Sequence, residues 1–235
     1  MEIKIAHLYY DLMNLYGEVG NIMALVKTFD EQNIDCIVDK LTIGDKMNLS
    51  KYDIIYIGQG SEENQMIVLE DILKHKETLE NAILNNKYLI CTGNSYELFG
   101  KHIEKNGKKI KCLNIFDYYS KELDERIKGE QVFECDFVKD PIIGFQNRQC
   151  VMNNKNNHLF SVINGHAGNY KSKYEGIHYK NFFGTYMIGP LLIRNPHLTN
   201  YIVKDILDKK NIGYIPITNT YDYKAYNEYV KNFIN

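Results

Sequence analysis

Cys91 and Ser95 flank the tripeptide Thr92-Gly93-Asn94, and a thiol or hydroxyl at such a place could do nucleophilic chemistry. The apolar run Tyr88 to Cys91 predicts a fully buried strand, Gly93-Asn94 breaks it, and Ser95 to Gly100 has the composition of a helix start closed by glycine. Strand, tight turn and helix together make a nucleophile elbow, with the turn residue strained at the head of a parallel strand and helix amides favouring negative charge. Here the turn residue is Gly93, which carries no nucleophile. Cys91 lies two residues earlier, on the same side but roughly 6 to 7 Å back into the sheet. It reads as a core thiol. Ser95 reads as a hydroxyl capping the first helical amides.

A second candidate is the loop Gly58-Gln59-Gly60-Ser61, directly after the apolar segment Asp53 to Ile57. Glycines at the C-terminal end of a parallel strand let backbone amides approach an anion, which makes Gly58 and Gly60 candidate binding positions beside Asn94. The seven histidines do not complete a catalytic pair. His166 and His178 have no spacing that aims them at Gly93, and His7, His75, His102, His158 and His197 read as surface or core residues. The five cysteines, Cys36, Cys91, Cys112, Cys135 and Cys150, form no Cys-x-x-Cys pair, so reduced and mostly buried thiols are expected rather than a disulfide framework or a zinc site.

The elements that must position these residues alternate. Ile3 to Leu8 predicts a strand, and Val19, Ile22, Met23, Val26 and Phe29 recur at helical spacing. Cys36 to Val38 and Asp53 to Ile57 predict further strands. Glu62 to Asn85 predicts one long helix with an apolar face. This order argues a doubly wound, mainly parallel sheet with helices on both faces. After Gly100 the character changes. Lys101 to Lys111 reads as a charged loop with an Asn106-Gly107 hairpin turn, and short strands at Gln131–Cys135, Pro141–Phe145 and Leu159–Ile163 predict a β-rich elaboration. Leu198, Tyr201, Ile202 and Ile206 predict a helix ended by Gly213, and Tyr223, Tyr226, Val230, Phe233 and Ile234 a last one that packs back or meets a partner.

The chain has 235 residues, 44% of them hydrophobic, so it can bury a sizeable core as one domain spanning 1–235. Lys+Arg 28 against Asp+Glu 30 gives a formal charge of −2 without long runs of one sign, which argues against a nucleic-acid partner. No apolar run is long enough to span a bilayer and the N-terminus starts as a strand, so a cytoplasmic protein without membrane insertion is expected.

Several segments carry a family resemblance. Tyr96-Glu97-Leu98-Phe99-Gly100 resembles the end of the motif Cys-Gly-Gly-Tyr-Gln-apolar-apolar-Gly of class I glutamine amidotransferases of the cobyric acid synthase type. Aligned from its last glycine, the family's nucleophilic cysteine falls on Gly93. Gly184-Thr185-Tyr186-Met187-Ile188-Gly189-Pro190 resembles the motif Gly-Thr-Tyr-apolar-His-Gly-Pro, and its catalytic histidine falls on Ile188. Asn14-Leu15-Tyr16, Gly20-Asn21 and Glu175 to Leu192 resemble one branch, the glutaminase subunit of lipid II isoglutaminyl synthase. Asp117-Tyr118-Tyr119 with Arg126 resembles a segment whose arginine serves the substrate pocket, and Gly58-Gln59-Gly60 resembles the oxyanion loop with its middle glycine replaced.

The resemblance implies a flavodoxin-like α/β amidotransferase fold, no cofactor, glutamine or a related small molecule as ligand, and a Mur-ligase-like ATP-dependent synthetase as partner. Two readings stay open: a catalytically degenerate subunit that acts by docking, and an active glutaminase subunit that supplies ammonia with a non-standard nucleophile.

Overall fold

The structure, a computed structural model, describes residues 1–233. Its organising layer is a six-stranded sheet of β1 (Glu2–Leu8), β2 (Asp35–Leu41), β3 (Ile54–Ile57), β4 (Tyr88–Thr92), β11 (Ile177–Tyr179) and β12 (Phe182–Thr185). The strand order is β11-β12-β4-β3-β1-β2, and every pairing but β11 with β12 is parallel. Strand side chains alternate between faces, and the core follows that period. Ile3 and Ile5, Ile54 and Tyr56, and Tyr88 and Ile90 face one apolar cluster, while Ala6 and Leu8, Ile55 and Ile57, and Leu89 and Cys91 face the other.

Helices α1 (Val19–Asp30), the short α4 (Leu191–Arg194) and α5 (Pro196–Lys209) cover the first face through Ile22, Leu25, Phe29, Leu191, Leu198 and Ile202. Helices α2 (Glu62–Ile72) and α3 (Lys76–Leu84) cover the second through Val68, Leu69, Ile72, Leu79 and Ile83. The mainly parallel α/β sheet with helices on both faces is thus as expected. The single helix expected over 62–85 is instead two, separated by a tight turn at Leu73–His75. There the buried Asp71 carboxylate takes hydrogen bonds from Lys74 Nζ and from Tyr9 Oη just after β1, each 3.1 Å, and an apolar period that runs on through the break hides it.

The β-rich elaboration is a second sheet. It holds β5 (His102–Lys105), β6 (Lys108–Lys111), β7 (Tyr119–Cys135), β8 (Val138–Asn153), β9 (Phe160–Asn164) and β10 (Tyr174–Glu175). Lys101 to Lys111 is therefore a β-hairpin rather than a loop, turned at Asn106-Gly107. The strands expected at 131–135 and 141–145 are the inner parts of a 17- and a 16-residue ribbon whose polar outer ends give no apolar signal. Past α5 the left-handed residue is Asn211 rather than Gly213. Helix α6 (Tyr221–Phe233) packs back through Tyr226, buried and bonded to Pro141 O at 2.7 Å, and Ile234 lies outside the described residues. Among the described residues no helix is long and apolar enough to cross a membrane.

Candidate functional site

The two candidate loops meet. β3 and β4 are neighbours with Ile57 opposite Cys91, so the Gly58-Gln59-Gly60 loop and Gly93-Asn94 leave the sheet side by side. Asn94 locks them: its Oδ1 accepts from Gly60 N and its Nδ2 donates to Gly60 O, both at 3.1 Å. Gly93 keeps the backbone of an elbow, with φ +63° in the left-handed region, at the start of a 3₁₀ segment running to Phe99. Ser95 does not cap amides as expected. Its hydroxyl donates to Thr92 O (2.8 Å) and Ile57 O (3.0 Å) and so fastens the elbow to β3.

Gln59 decides what this elbow can do. A Cβ placed on Gly93 would lie 2.1 Å from Gln59 Oε1 and 2.4 Å from Gln59 Cβ, so the glutamine side chain fills the space a side chain at position 93 would need. Gln59 is buried and its Nε2 donates to Asn147 O of β8 at 3.2 Å. In the glycine loop Gly60 N is spent on Asn94, and Met13 packs against the open sides of Gly58 and Gly60.

Beneath the loop lies a carboxyl that sequence reasoning missed. Glu18 is fully buried and accepts from Tyr56 Oη at 2.6 Å and from Thr92 Oγ1, while its Oε1 lacks a hydrogen bond of ordinary geometry. Burial pushes its pKa up to about 7, against the pull of Thr92, Tyr56 and the backbone amides of Gly189 and Gln59. Its only sequence signal, an acid at the start of a helix after a turn, is indistinguishable from an ordinary helix-dipole partner.

Ile188 is buried and pairs with Phe145 of β8 through Ile188 N to Phe145 O (2.9 Å) and Phe145 N to Ile188 O (3.2 Å). Thr92 and Gly189, the neighbours of Gly93 and Ile188, both act on Glu18, so the fold brings the two positions to one carboxyl. Neither supplies a thiol or an imidazole. Cys91 is no substitute, because burial pushes its thiol well above the ordinary range and the side chain belongs to the core.

Arg126 stands at the rim. It bonds Glu62 Oε1 at 2.6 Å and Asn147 Oδ1 at 2.9 Å, and Asn147 Nδ2 donates to Tyr16 Oη at 2.7 Å. Burial raises the Glu62 carboxyl, but the Arg126 bonds outweigh it and leave the pKa lowered. The guanidinium is thus committed to a surface network that holds Asn147 against Gln59. Glu97, at the place of the motif's glutamine, is buried and accepts from Tyr186 Oη (2.9 Å), Ser120 Oγ (3.1 Å) and Gln65 Nε2 (3.2 Å).

This α/β sheet with a glycine turn at the head of a central strand is the frame of a class I glutamine amidotransferase, and the comparisons agree. Residues 4–196 match the CobB/CobQ-like glutamine amidotransferase domain, and the chain belongs to that family. It is similar to the GatD subunit of lipid II isoglutaminyl synthase (glutamine-hydrolysing) from Streptococcus pneumoniae, 32% identical over 213 residues, covering 89% of this chain and 82% of that one. The GatD subunit from Staphylococcus aureus is 33% identical over 218 residues, covering 92% and 88%. Among solved structures, a Thermotoga maritima glutamine amidotransferase aligns with a TM-score of 0.55 at 14% identity, covering 90% of this chain and 86% of that one. The glutaminase domain of Trypanosoma brucei CTPS, with bound acivicin, aligns at 0.52 and 8%, covering 91% and 96%. These two likenesses bear on the fold.

Proposed function

We propose that this chain is a catalytically silent glutamine amidotransferase-like subunit of lipid II amidation, a single domain over 1–235 that acts in the cytoplasm by docking to a Mur-ligase-like ATP-dependent synthetase. The observation that carries the reading is Gln59 in the space of a side chain at Gly93. Glutamine hydrolysis needs a thiolate, a base and oxyanion amides. Gly93 and Ile188 supply neither of the first two, and of the loop amides that could serve as the third, Gly60 N is already bonded to Asn94. Removing one member of such a unit typically costs about six orders of magnitude in rate, and the second little more.

The 32–33% identity to GatD supports the lipid II context and the synthetase partner. For the docking surface, the exposed Leu15 and Tyr16 beside the Arg126 network are better candidates than the segment Glu175 to Asn181, where Glu175 and Ile177 are buried. The competing reading, an active glutaminase using Cys91, is disfavoured by that thiol's burial.

The purified protein, alone and with a co-purifying synthetase, should release no ammonia from glutamine above background and resist a glutamine-analogue alkylator. Ammonia release that vanishes in Cys91→Ala would overturn the reading. The docking half is tested by native pull-down, expected to recover the synthetase through an interface of at least about 1,000 Å².

A further inference from the structure

The amidotransferase frame leaves unused a cleft of about 1030 Å³ on the elaboration sheet, between the start of β7, the end of β8 and the loop 165–173. Four lysines line it, Lys101, Lys155, Lys171 and Lys173, against one carboxylate, Asp117. Asp117 is ion-paired with Lys101 and also feels the charge of Lys155, while Lys155, Lys171 and Lys173 form no ion pair among the described residues. On a chain with a formal charge of −2, this is a pronounced local excess of positive charge, and a concave wall focuses such a field on a small anion.

The wall is held rather than loose. The buried Arg148 guanidinium donates to the carbonyls of Ala167 (2.5 Å) and Gly168 (3.1 Å), and Asn169 Nδ2 donates to Met152 O at 2.9 Å. Lys173 O accepts from Val162 N of β9 at 2.9 Å. The backbone carrying Lys171 and Lys173 is therefore fixed before any ligand arrives, which lowers the ordering cost of binding. Aromatic surface lies alongside: His158 stacks on Tyr174 with centroids 4.5 Å apart and planes 9° apart, and Tyr170 is 75% exposed.

Unpaired ammonium groups are point-charge partners for phosphate, and an exposed aromatic face is a platform for a planar ring. We infer that this cleft is a second ligand site, separate from the elbow, for a small phosphate- or diphosphate-bearing molecule whose ring lies against the His158–Tyr174 pair. The phosphate group is the shared chemistry whether the source is a soluble nucleotide-like molecule or a lipid headgroup.

Calorimetry on the full chain at low salt, with inorganic pyrophosphate and with ADP as probes, tests this. Both should bind, ADP more tightly, and both should weaken as salt rises. Lys155→Ala/Lys171→Ala/Lys173→Ala should lose at least about tenfold in affinity with an unchanged circular dichroism spectrum. A control triple with the same charge change at exposed lysines elsewhere, Lys46→Ala/Lys108→Ala/Lys128→Ala, should bind as the parent does. Tyr174→Ala should remove the advantage of ADP over pyrophosphate. Binding to phosphatidylglycerol vesicles but to neither soluble probe, lost in the cleft triple and not in the control, would assign the phosphate to a lipid headgroup. No binding of any probe, or equal loss in both triples, overturns the site. Ammonia release plays no part in these readouts, so they stand or fall apart from the silent-subunit reading.

Discussion

Gly93 and Gln59 form a pair in which each residue excludes alternatives for the other. Gly93→Ala forces a side chain into φ +63°, costing about 1 kcal/mol, and drives its Cβ into Gln59, for which overpacking adds about 1 to 3 kcal/mol. Gln59→Gly should relieve the second part and leave the first. In a urea double-mutant cycle the two changes are expected to couple by at least about 1 kcal/mol, and simple additivity would show that the overlap is relaxed at no cost. The same geometry predicts that Gly93→Cys with Ile188→His restores no reactive thiol unless Gln59 is also made glycine.

Glu18 offers a pH test at the same scale. Its pKa is about 7 in the fold against 4.5 in an unfolded chain, so between those values the native state holds the extra proton and stability falls as pH rises. His7 and His197, which burial lowers to about 4, act in the opposite direction between pH 4 and 6.5, so the parent curve mixes both signs. The comparison with Glu18→Gln isolates the carboxyl: the variant should gain on the parent progressively from pH 4.5 to 7 and level off above, by up to roughly 3 kcal/mol. A difference that stays flat with pH would mean Glu18 titrates normally.

The elbow and the glycine loop depend on one side chain for their mutual position. Asn94→Ala leaves both the N–H and the C=O of Gly60 without their partner, an expected loss of about 2 to 3 kcal/mol. Native-state hydrogen exchange should quicken at Gly60 well before the β3 amides, since the clamp holds the loop and the ladder holds the strand. Equal protection at Gly60 in parent and variant would place the restraint elsewhere. Elements of this kind were legible wherever apolar period and turn chemistry coincide, as at Tyr88 to Gly93 or Asn106-Gly107. They were illegible where a buried polar group intervenes. Asp71 breaks the long helix without interrupting its apolar spacing, and Glu18 and Asn147 join the site through contacts that residue type alone does not announce. The amidotransferase motifs point to Gly93 and Ile188, and the fold brings the neighbours of both to Glu18. That Gln59 would occupy the vacated space depends on a side-chain direction, which no spacing encodes.

The two sheets are joined by shared core rather than by a linker, and this governs how the whole molecule should unfold. Phe133 of β7 and Ile142 of β8 sit in the same apolar cluster as Ile90 and Phe183 of the parallel sheet and Ile202 of α5. Asn195, just before α5, donates to Ile143 O (2.7 Å) and accepts from Ile143 N (2.8 Å), so a strand of the elaboration and a helix of the main layer hold one side chain between them. Contacts of this density across a boundary favour one cooperative unit, because opening either sheet exposes apolar surface of the other. Phe133→Ala, which removes a wholly buried ring from that junction, should cost about 3 to 5 kcal/mol. The whole urea transition should move, with fluorescence of the 19 tyrosines and far-ultraviolet dichroism remaining coincident. If the probes separate, with tyrosine signal from the elaboration lost at lower urea while helical dichroism persists, the elaboration is a separate folding unit, and the ribbon β7–β8 would hold the Gln59–Asn147 contact over Gly93 only while that unit is intact.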